Sequence, residues 1–348
     1  MNKLFLAAFL IFILPVSFYS QDVTKGTVKG KVTDLETKEP LTSATVFLEN
    51  TTYGTASDIT GSYEILNVEP GSYHLIISMV GYEIKRIPVR ITAGSHLELE
   101  IKLKQRPVVL GQVNVTGNLP DEWNDYIDIF TREFIGKGKF SGDVKLLNPE
   151  VINFRKDEKT KNLIAFSDSI IILENKALGY KLFVVLEKFS YSVAGDVDYL
   201  TRVRFQELKA ESDDEKSEWK DNRLYCYLGS QRHFFSSLIN KRLFDEGFQV
   251  RKGYMITLSS GGGSVVSEED FNLEAFGGEF LRVNLDMSLK VEYTGRNSAV
   301  TFITPGFPYF ILLDSQGNRV DANNLKVTGG WAEQRMSFAL PYNYLPGD

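Results

Sequence analysis

The stretch that decides the fold runs from Gly54 to Tyr82 and reads GTASDITGSYEILNVEPGSYHLIISMVGY. Apolar and polar residues alternate along most of it, and turn-forming residues interrupt the pattern at positions 60–61, 70–71 and 81. A period of two indicates strands that bury one face, and Gly or Pro between such runs indicates tight turns. The stretch therefore predicts three short antiparallel strands.

The same alternation continues on both sides of this stretch, between residues 26 and 104. Its inward-facing positions are Val28, Val32, Ala44, Val46, Leu48, Ile87, Val89, Ile91, Leu97, Leu99, Ile101 and Leu103. A sheet with one buried face requires this period. About seven such strands in about 80 residues predict a β-sandwich.

Four residues are predicted to shape the turns of this sandwich: Gly61, Pro70, Gly71 and Gly81. Glycine adopts a positive φ without steric cost, which we expect for Gly61 and Gly71, and proline presets its own φ. Asp58 is expected to accept hydrogen bonds from the amides that follow it, in an Asx-turn. A calcium ligand is the alternative for Asp58, but no other acid flanks the loop.

Five short motifs in this region form a pattern that resembles a known family. They are GKV at 30–32, PLTSATV at 40–46, SDITGSY at 57–63, PGSY at 70–73 and GY at 81–82. Together they resemble the regulatory domain that follows zinc carboxypeptidases, and the chain looks like a Bacteroidota protein with this domain. The resemblance implies a mainly β protein that opens with a seven-stranded, prealbumin-like or carbohydrate-binding-like β-sandwich over residues 26–104.

The resemblance does not extend to peptidase activity. A zinc peptidase needs at least two His and a carboxylate around an open metal position. The chain contains only His74, His96 and His233, and none has Glu three residues further on. We expect His74 and His96 on polar, solvated strand faces. We therefore predict no zinc carboxypeptidase activity, no metal site and no cofactor.

The amino terminus and the composition limit where the protein acts and what it binds. Residues 1–20, MNKLFLAAFLIFILPVSFYS, combine Lys3 with an apolar run and predict a cleaved secretory signal peptide. No other stretch is apolar enough to cross a bilayer, so we expect an extracytoplasmic protein that is periplasmic, peripheral to the outer membrane or secreted. A formal net charge of −6 without a basic run disfavours nucleic-acid binding. Cys226 is the single cysteine, which excludes an intrachain disulfide.

Residues 105–118 are predicted to be a linker or an additional sandwich strand. Within them, VVLGQVNVTG at 108–117 resembles the segment that follows the same sandwich in outer-membrane TonB-dependent receptors of Bacteroidota, with Gln112 in place of the usual acid. The sequence that follows does not have the pattern of a plug and a large barrel, so we do not predict a transporter.

Residues 119–348 predict a β-rich α+β domain, and they resemble an uncharacterised region that accompanies this sandwich in Bacteroidota. The apolar positions of its first predicted helix are Trp123, Tyr126, Ile127, Phe130 and Phe134. Strands are predicted at 163–166, 170–173, 180–186 and 191–205. The charged segment 207–221 is predicted to be a solvated loop. Ser230 is the predicted N-cap of a second helix over about residues 230–244.

Catalytic motifs are weak in this second region, and no catalytic residue is predicted. The run from Gly261 to Ser264 matches neither a nucleophile elbow nor a phosphate-binding loop. Glu174, Arg232 and His233 are the candidate binding residues. The sequence favours a non-catalytic envelope protein whose sandwich supports a domain that binds a protein or a glycan. A hydrolase of envelope polymers, with its site around those three residues, is the alternative.

Overall fold

The computed structural model describes residues 24–106, 122–295, 299–320 and 324–347. The predicted signal peptide and residues 107–118 of the predicted linker lie outside them. Among the described residues, no helix is both long and apolar enough to span a membrane. The described residues form three large hydrophobic cores, which we call the sandwich, the middle lobe and the C-terminal lobe.

The sandwich contains seven strands, as the sequence predicts. They are β1 (Gly26–Asp34), β2 (Thr45–Leu48), β3 (Gly54–Ala56), β4 (Ser62–Val68), β5 (Gly71–Ser78), β6 (Lys85–Ile91) and β7 (His96–Leu103). One sheet has the order β4-β1-β7 and the other the order β3-β2-β5-β6. The pairing of β1 with β7 is parallel, and the other pairings are antiparallel.

The sandwich core consists of the inward-facing residues that the alternation predicts. Val28, Val46, Leu75 and Ile101 have no solvent-accessible surface. The period of two fails where Phe47 and Ile76, which point to the other face of their sheet, are also fully buried. They pack with Val185 of the middle lobe. The second face of this sheet is therefore buried around Phe47 and Ile76, whereas the sequence pattern predicts one buried face.

The predicted turn residues adopt two kinds of conformation. Gly61 and Gly81 have φ values of +76° and +83°, as glycine permits. Gly71 does not have the positive φ that we expected, because it is the first residue of β5 and pairs with Ile91 of β6. Before this turn, Asn67 of β4 has a left-handed φ of +56°, at the place where the register between β1 and β4 shifts.

Asp58 has the structural role expected of it, and two tyrosines of the sandwich are held by packing or by a hydrogen bond. The Oδ1 atom of Asp58 accepts hydrogen bonds from the amides of Thr60 at 2.8 Å and Ser62 at 2.9 Å, which is an Asx-turn. Tyr63 is buried in the sandwich core. Tyr82 donates from its hydroxyl to Asp34.

The middle lobe is a six-stranded antiparallel sheet with two helices. Its elements are α1 (Trp123–Ile135), β8 (Val144–Leu146), β9 (Asn153–Lys156), β10 (Leu163–Phe166), β11 (Ile171–Asn175), β12 (Tyr180–Tyr191), β13 (Val197–Glu207) and α2 (Asp213–Tyr227). The strand order is β8-β11-β12-β10-β9, with β13 also paired to β12. The predicted helical stripe of α1 is confirmed, since Ile127, Phe130 and Phe134 are buried in this core.

Helix α2 corrects the prediction of a solvated loop over 207–221. The Ser212 side chain caps the helix by accepting from the amide of Glu215, and three acids lie in its first turn. Trp219 and Cys226 are buried on its inner side. Charge density alone indicated a loop, although a Ser followed three residues later by Glu is a helix-start signal.

The C-terminal lobe combines two sheets with short helices. Its elements are α3 (Gln231–Ile239), β14 (Phe248–Gly253), α4 (Met255–Ser259), β15 (Ser264–Val266), β16 (Leu273–Phe276), β17 (Phe280–Asn284), β18 (Ser288–Tyr293), β19 (Ala299–Pro305), β20 (Phe310–Leu313), β21 (Leu325–Gly329) and α5 (Gly330–Gln334). The sheets have the orders β15-β14-β18-β19-β21 and β16-β17-β20. Ser230 caps α3 as predicted, by accepting from the amide of His233. The region predicted as one domain thus contains two cores.

Residues 331–344, which we call the clasp, contact all three cores. Trp331 packs on Phe234 of the C-terminal lobe and donates from its Nε1 atom to the carbonyl of Gly229 at 2.7 Å. Met336 is buried in the core of the middle lobe. The amide of Tyr342 donates to the carbonyl of Asn50 in the sandwich at 2.6 Å. The clasp therefore links the lobes to one another.

Candidate functional site

The sandwich and the middle lobe are joined by main-chain hydrogen bonds as well as by packing. The amide of Asn50 donates to the carbonyl of Val203 at 2.8 Å, and the amide of Phe205 donates to the carbonyl of Thr51 at 2.9 Å. These bonds fix the segment after β2 along the edge strand β13. Any cleft along this junction therefore has walls that are held in one orientation.

An ion-pair network lies at the centre of the junction. Glu49 of the sandwich pairs with Arg202 of β13, and their side chains are only 10% and 11% exposed. Arg202 also donates from Nε to Glu187 at 2.9 Å, and Glu49 accepts from Nε of Arg86 at 3.1 Å. Each guanidinium thus has a carboxylate partner, as charges that lose water require.

A cleft of about 950 Å³ opens beside this network, between the sandwich, the C-terminal lobe and the clasp. We call it the junction cleft, and its lining includes Tyr53, Tyr73, His74, Arg86, Phe280 and Tyr342. Aromatic faces beside amide, carboxylate and guanidinium groups can stack on a ring and bond to its hydroxyl or amide groups. A protein or glycan partner is compatible with this lining.

His74 in this cleft is not the solvated residue that the sequence predicts. Its side chain is 26% exposed, and its Nδ1 atom accepts a hydrogen bond from Nη2 of Arg86 at 2.9 Å. Burial, with a further contribution from the Arg86 charge, lowers the pKa of His74 below its usual value. The neutral imidazole is therefore the form that this arrangement favours.

An apolar side pocket of about 280 Å³ opens from the junction cleft. Pro88 and Val89 of the sandwich and Phe280 and Val320 of the C-terminal lobe contribute to its walls. The cleft thus has a polar part and an adjoining apolar part. A ligand that carries both hydrogen-bonding groups and a small apolar group fits such a site.

A second cleft, of about 1330 Å³, lies on the other side of the junction and surrounds the edge of β9. We call it the edge cleft, and its lining includes Trp123, Tyr126, Phe154, Arg155, Ile164 and Lys188. Ile84 and Arg106 of the sandwich form its opposite wall. Within the described ranges, the sandwich packs on the outer face of the middle-lobe sheet around Val185.

The three predicted binding residues do not meet in one site. Glu174 lies on β11, opposite Lys181 of β12 in the middle lobe. Arg232 and His233 lie on α3 in the C-terminal lobe. No hydrogen bond or ion pair within the described ranges joins Glu174 to either of them. An acid–base site that uses all three is therefore not assembled.

Arg232 and His233 make contacts that hold the C-terminal lobe together. Arg232 donates to the carbonyls of Pro341 at 3.2 Å and Tyr344 at 2.7 Å. The Nδ1 atom of His233 accepts from the amide of Gly229 at 3.0 Å, and its Nε2 atom lies 3.3 Å from Glu246. Burial lowers the pKa of His233, although the hydrogen bond to Glu246 opposes this shift.

Sequence reasoning missed the junction, although one local signal was present. Phe47 and Ile76 are apolar at positions where a one-faced sheet would place polar residues, which indicates a second buried face. The pairing of Glu49 with Arg202 had no such signal, because the two residues are 153 positions apart. In the part of the chain that the structure describes, no group of three or more His, Cys, Asp or Glu side chains is arranged to hold a metal.

Comparisons with known proteins identify the first region. Residues 28–115 match the CarboxypepD_reg-like domain, which confirms the family resemblance of the sandwich. The TonB-dependent receptor SusC of Bacteroides thetaiotaomicron is 28% identical over an alignment of 151 residues, and the match covers 41% of this chain and 14% of the receptor.

Solved structures match with low similarity. The minor pilin GBS52 of Streptococcus agalactiae is 19% identical, with 28% of this chain and 48% of the pilin covered and a TM-score of 0.21. A protein of Bacteroides uniformis described as carbohydrate binding is 12% identical, with 51% and 79% covered and a TM-score of 0.21. Neither structure carries an argument about function at this similarity.

Proposed function

We propose that this chain is a non-catalytic, exported protein of the cell envelope, in which the sandwich supports a region that binds a protein or a glycan. The partner is bound in the junction cleft. The observation that carries this proposal is the lining of that cleft, where Tyr53, Tyr73 and Tyr342 lie beside charged groups and an apolar side pocket.

The envelope location rests on the sequence of residues 1–20 and on the similarity to the receptor SusC. The first is a predicted signal peptide, and the second is a relative whose name places it among TonB-dependent receptors. The chain spans only 14% of that receptor, so the similarity supports a shared module and a shared setting.

A binding role is favoured over the hydrolase alternative by the placement of the candidate acids and bases. Glu174 is in a different lobe from His233, and the two nitrogens of His233 are engaged by Gly229 and Glu246. A general acid or base must reach a substrate proton within hydrogen-bonding distance. The junction cleft instead presents aromatic rings, amide groups and charged groups on which a ligand can stack and to which it can form hydrogen bonds.

A substitution that fills the junction cleft tests the proposal. Ser72 is an exposed residue of β5 that lines both the cleft and its side pocket, so Ser72→Trp should block them without disturbing the sandwich core. The matched control is Glu64→Trp, at an exposed position of β4 in the other sheet of the sandwich. Secreted wild-type protein is titrated by calorimetry with peptidoglycan fragments and envelope polysaccharides, and is cross-linked to partners in intact envelopes.

We expect one of these partners to bind the wild type and the Glu64→Trp control equally and to bind Ser72→Trp at least tenfold more weakly. Equal binding to all three would place the site elsewhere on the protein. Turnover of a bound polymer by the wild type would instead support the hydrolase.

A further inference from the structure

We propose that the edge of β9 binds an extended peptide segment of a partner protein, which joins the middle-lobe sheet as an additional strand. This site is separate from the junction cleft, so the inference goes beyond the proposed function. Its ligand is a peptide in which an acidic residue lies between two apolar residues.

The first observation is the direction of the main-chain groups of β9. The amide of Asp157 donates to the carbonyl of Asn162 at 2.9 Å, and the register continues with Arg155 opposite Ile164. In an antiparallel pair, hydrogen-bonded and non-hydrogen-bonded positions alternate. Arg155 therefore bonds to β10, while the N–H and C=O groups of Phe154 and Lys156 point away from the sheet.

These outward groups have no main-chain partner among the described residues, where β9 is the last strand of its sheet. The neighbouring carbonyl of Ile152 is already bonded, since it accepts from Nε1 of Trp123 at 3.0 Å. The part of the edge without a main-chain partner in the described part of the chain is thus two residues long on one side. A strand that pairs with Phe154 and Lys156 would make up to four hydrogen bonds there.

The second observation is that this edge faces an open space. Residues 153–157 all line the edge cleft, together with groups from both faces of the sheet. Phe154 is on the face of α1, where Trp123 and Tyr126 lie 6.3 and 5.9 Å from it between ring centroids. Arg155 is on the other face, beside Ile164. The cleft therefore has room for a strand and surfaces for its side chains on both faces.

The third observation is the charge of the cleft, which defines the peptide. Several other charged side chains there are paired, Arg106 with Asp168, Lys188 with Asp198 and Glu187 with Arg202. Lys156 lies over the ring of Tyr126, Glu122 accepts from the Tyr126 hydroxyl, and Asp157 accepts from the amides of Lys159 and Thr160. Arg155 forms no ion pair with any carboxylate in the described ranges. An acidic residue of an added strand, placed directly opposite Arg155, would have its Cβ atom within about 5.5 Å of the Cβ of Arg155.

The neighbours of that acidic residue point to the opposite face of the sheet, because successive side chains of a strand alternate. On that face they meet the part-exposed rings of Trp123 and Tyr126. Apolar side chains at those two positions would bury surface against the rings. The recognised sequence is therefore apolar–acidic–apolar, held in an extended conformation by main-chain bonds.

The test uses a pool of nine-residue peptides of sequence Thr-Val-Thr-x-x-x-Thr-Val-Thr, randomised at the three central positions. The pool is passed over the immobilised secreted protein, and the retained peptides are sequenced. We expect enrichment of apolar–acidic–apolar centres. We also expect slower hydrogen exchange of the amides of Phe154 and Lys156 when the best peptide is bound, because those two amides become hydrogen-bonded.

Two substitutions test whether peptide binding depends on Arg155 itself or only on the net charge of this region. Arg155→Glu should weaken the best acidic peptide at least tenfold and should select peptides with a central Lys or Arg instead. Lys159→Glu, which makes the same kind of change in the turn between β9 and β10, should leave binding unchanged. N-methylation of the peptide amides that face β9 should abolish binding, and N-methylation of the alternate amides should not.

The proposal is overturned if no peptide is retained, if Arg155→Glu leaves the selected centre unchanged, or if both N-methylated forms bind equally. It is also overturned if the amides of Phe154 and Lys156 exchange at the same rate with and without peptide. Ser72→Trp, which fills the junction cleft, should bind the peptide as the wild type does. A loss of binding at the junction cleft can therefore be distinguished from a loss of peptide binding at the edge cleft.

Discussion

Glu49 and Arg202 form a nearly buried ion pair across the junction between the sandwich and the middle lobe, although 153 positions separate them in the chain. Arg202 is held from its other side by Glu187. Both clefts border this ion-pair network. Glu49 lines the junction cleft, and Glu187 lines the edge cleft.

Glu49→Gln should lower the free energy of unfolding by about 1–3 kcal/mol, because it leaves the nearly buried Arg202 with one carboxylate in place of two. Urea unfolding followed by fluorescence measures this loss. Glu83→Gln is the control, since Glu83 and its partner Lys104 are both about half exposed. We expect a change below about 1 kcal/mol for it. Equal losses in the two variants would contradict the special role of the junction pair.

Gly30→Ala should be far more damaging than Gly81→Ala. A Cβ atom at Gly30 would lie 1.9 Å from the carbonyl oxygen of Leu99 on β7, so β1 and β7 could not keep their pairing. A Cβ atom at Gly81 meets nothing within 4 Å, and only the φ of +83° opposes it. We expect a loss above about 3 kcal/mol for the first and about 1 kcal/mol for the second. Thermal melts of both variants measure the difference, and similar melting temperatures would refute it.

The contrast among these glycines shows what the sequence can predict. Period-two patterning and turn residues predict the seven strands of the sandwich, because both are local properties of the chain, whereas the pairing is mostly between strands that are not adjacent in the chain. Gly71 shows the limit, since a Pro-Gly pair is compatible with several turns and only the pairing of Gly71 with Ile91 selects an extended conformation. The first helix and the N-cap at Ser230 were predicted for the same local reasons.

The candidate site was predicted less well, because it depends on contacts between distant segments. Glu174, Arg232 and His233 were chosen from local patterns, and the structure places Glu174 in one lobe and the other two in another. The junction cleft is built from the sandwich, the C-terminal lobe and the clasp. No local pattern in the sequence indicates which of these surfaces face one another.

Stability should fall as the pH is lowered below about 6.5, because two histidines have lowered pKa values. Burial is the main cause for both His74 and His233. The unfolded chain then binds more protons than the folded chain in this range, so the free energy of unfolding decreases with decreasing pH. Melting temperatures measured from pH 7.5 to pH 5 should show this fall.

His74→Asn removes the contribution of His74 to this pH dependence, because the Asn oxygen can accept a hydrogen bond from Arg86 without becoming protonated. We expect the fall in melting temperature to be smaller in this variant than in the wild type. His96→Asn, at an exposed position of β7, serves as the control and should show the wild-type slope. A steeper fall in His74→Asn would show that the sign of the His74 effect is wrong.

The Cys226 thiol should be unreactive in the folded protein. It is 2% exposed within the middle-lobe core, and burial raises its pKa, so little thiolate is present. We expect no labelling by a thiol-specific disulfide reagent under native conditions and one equivalent in urea. Rapid labelling of the native protein would indicate that α2 opens readily from the sheet.

The clasp also has a consequence for the order of assembly. Residues 331–344 follow nearly all the residues of the three cores in the chain, with Met336 of the middle-lobe core as an exception, and a polypeptide is synthesised with its amino terminus first. The sandwich and most of the two lobes can each begin to collapse before this segment is made, and the contacts of the clasp with them form last. The arrangement of the sandwich and the two lobes relative to one another is therefore completed only after the C-terminal lobe has been synthesised. A chain interrupted before Trp331 would keep the bonds of Asn50 and Glu49 to the middle lobe, but it would lose Met336 from the middle-lobe core and Tyr342 from the wall of the junction cleft.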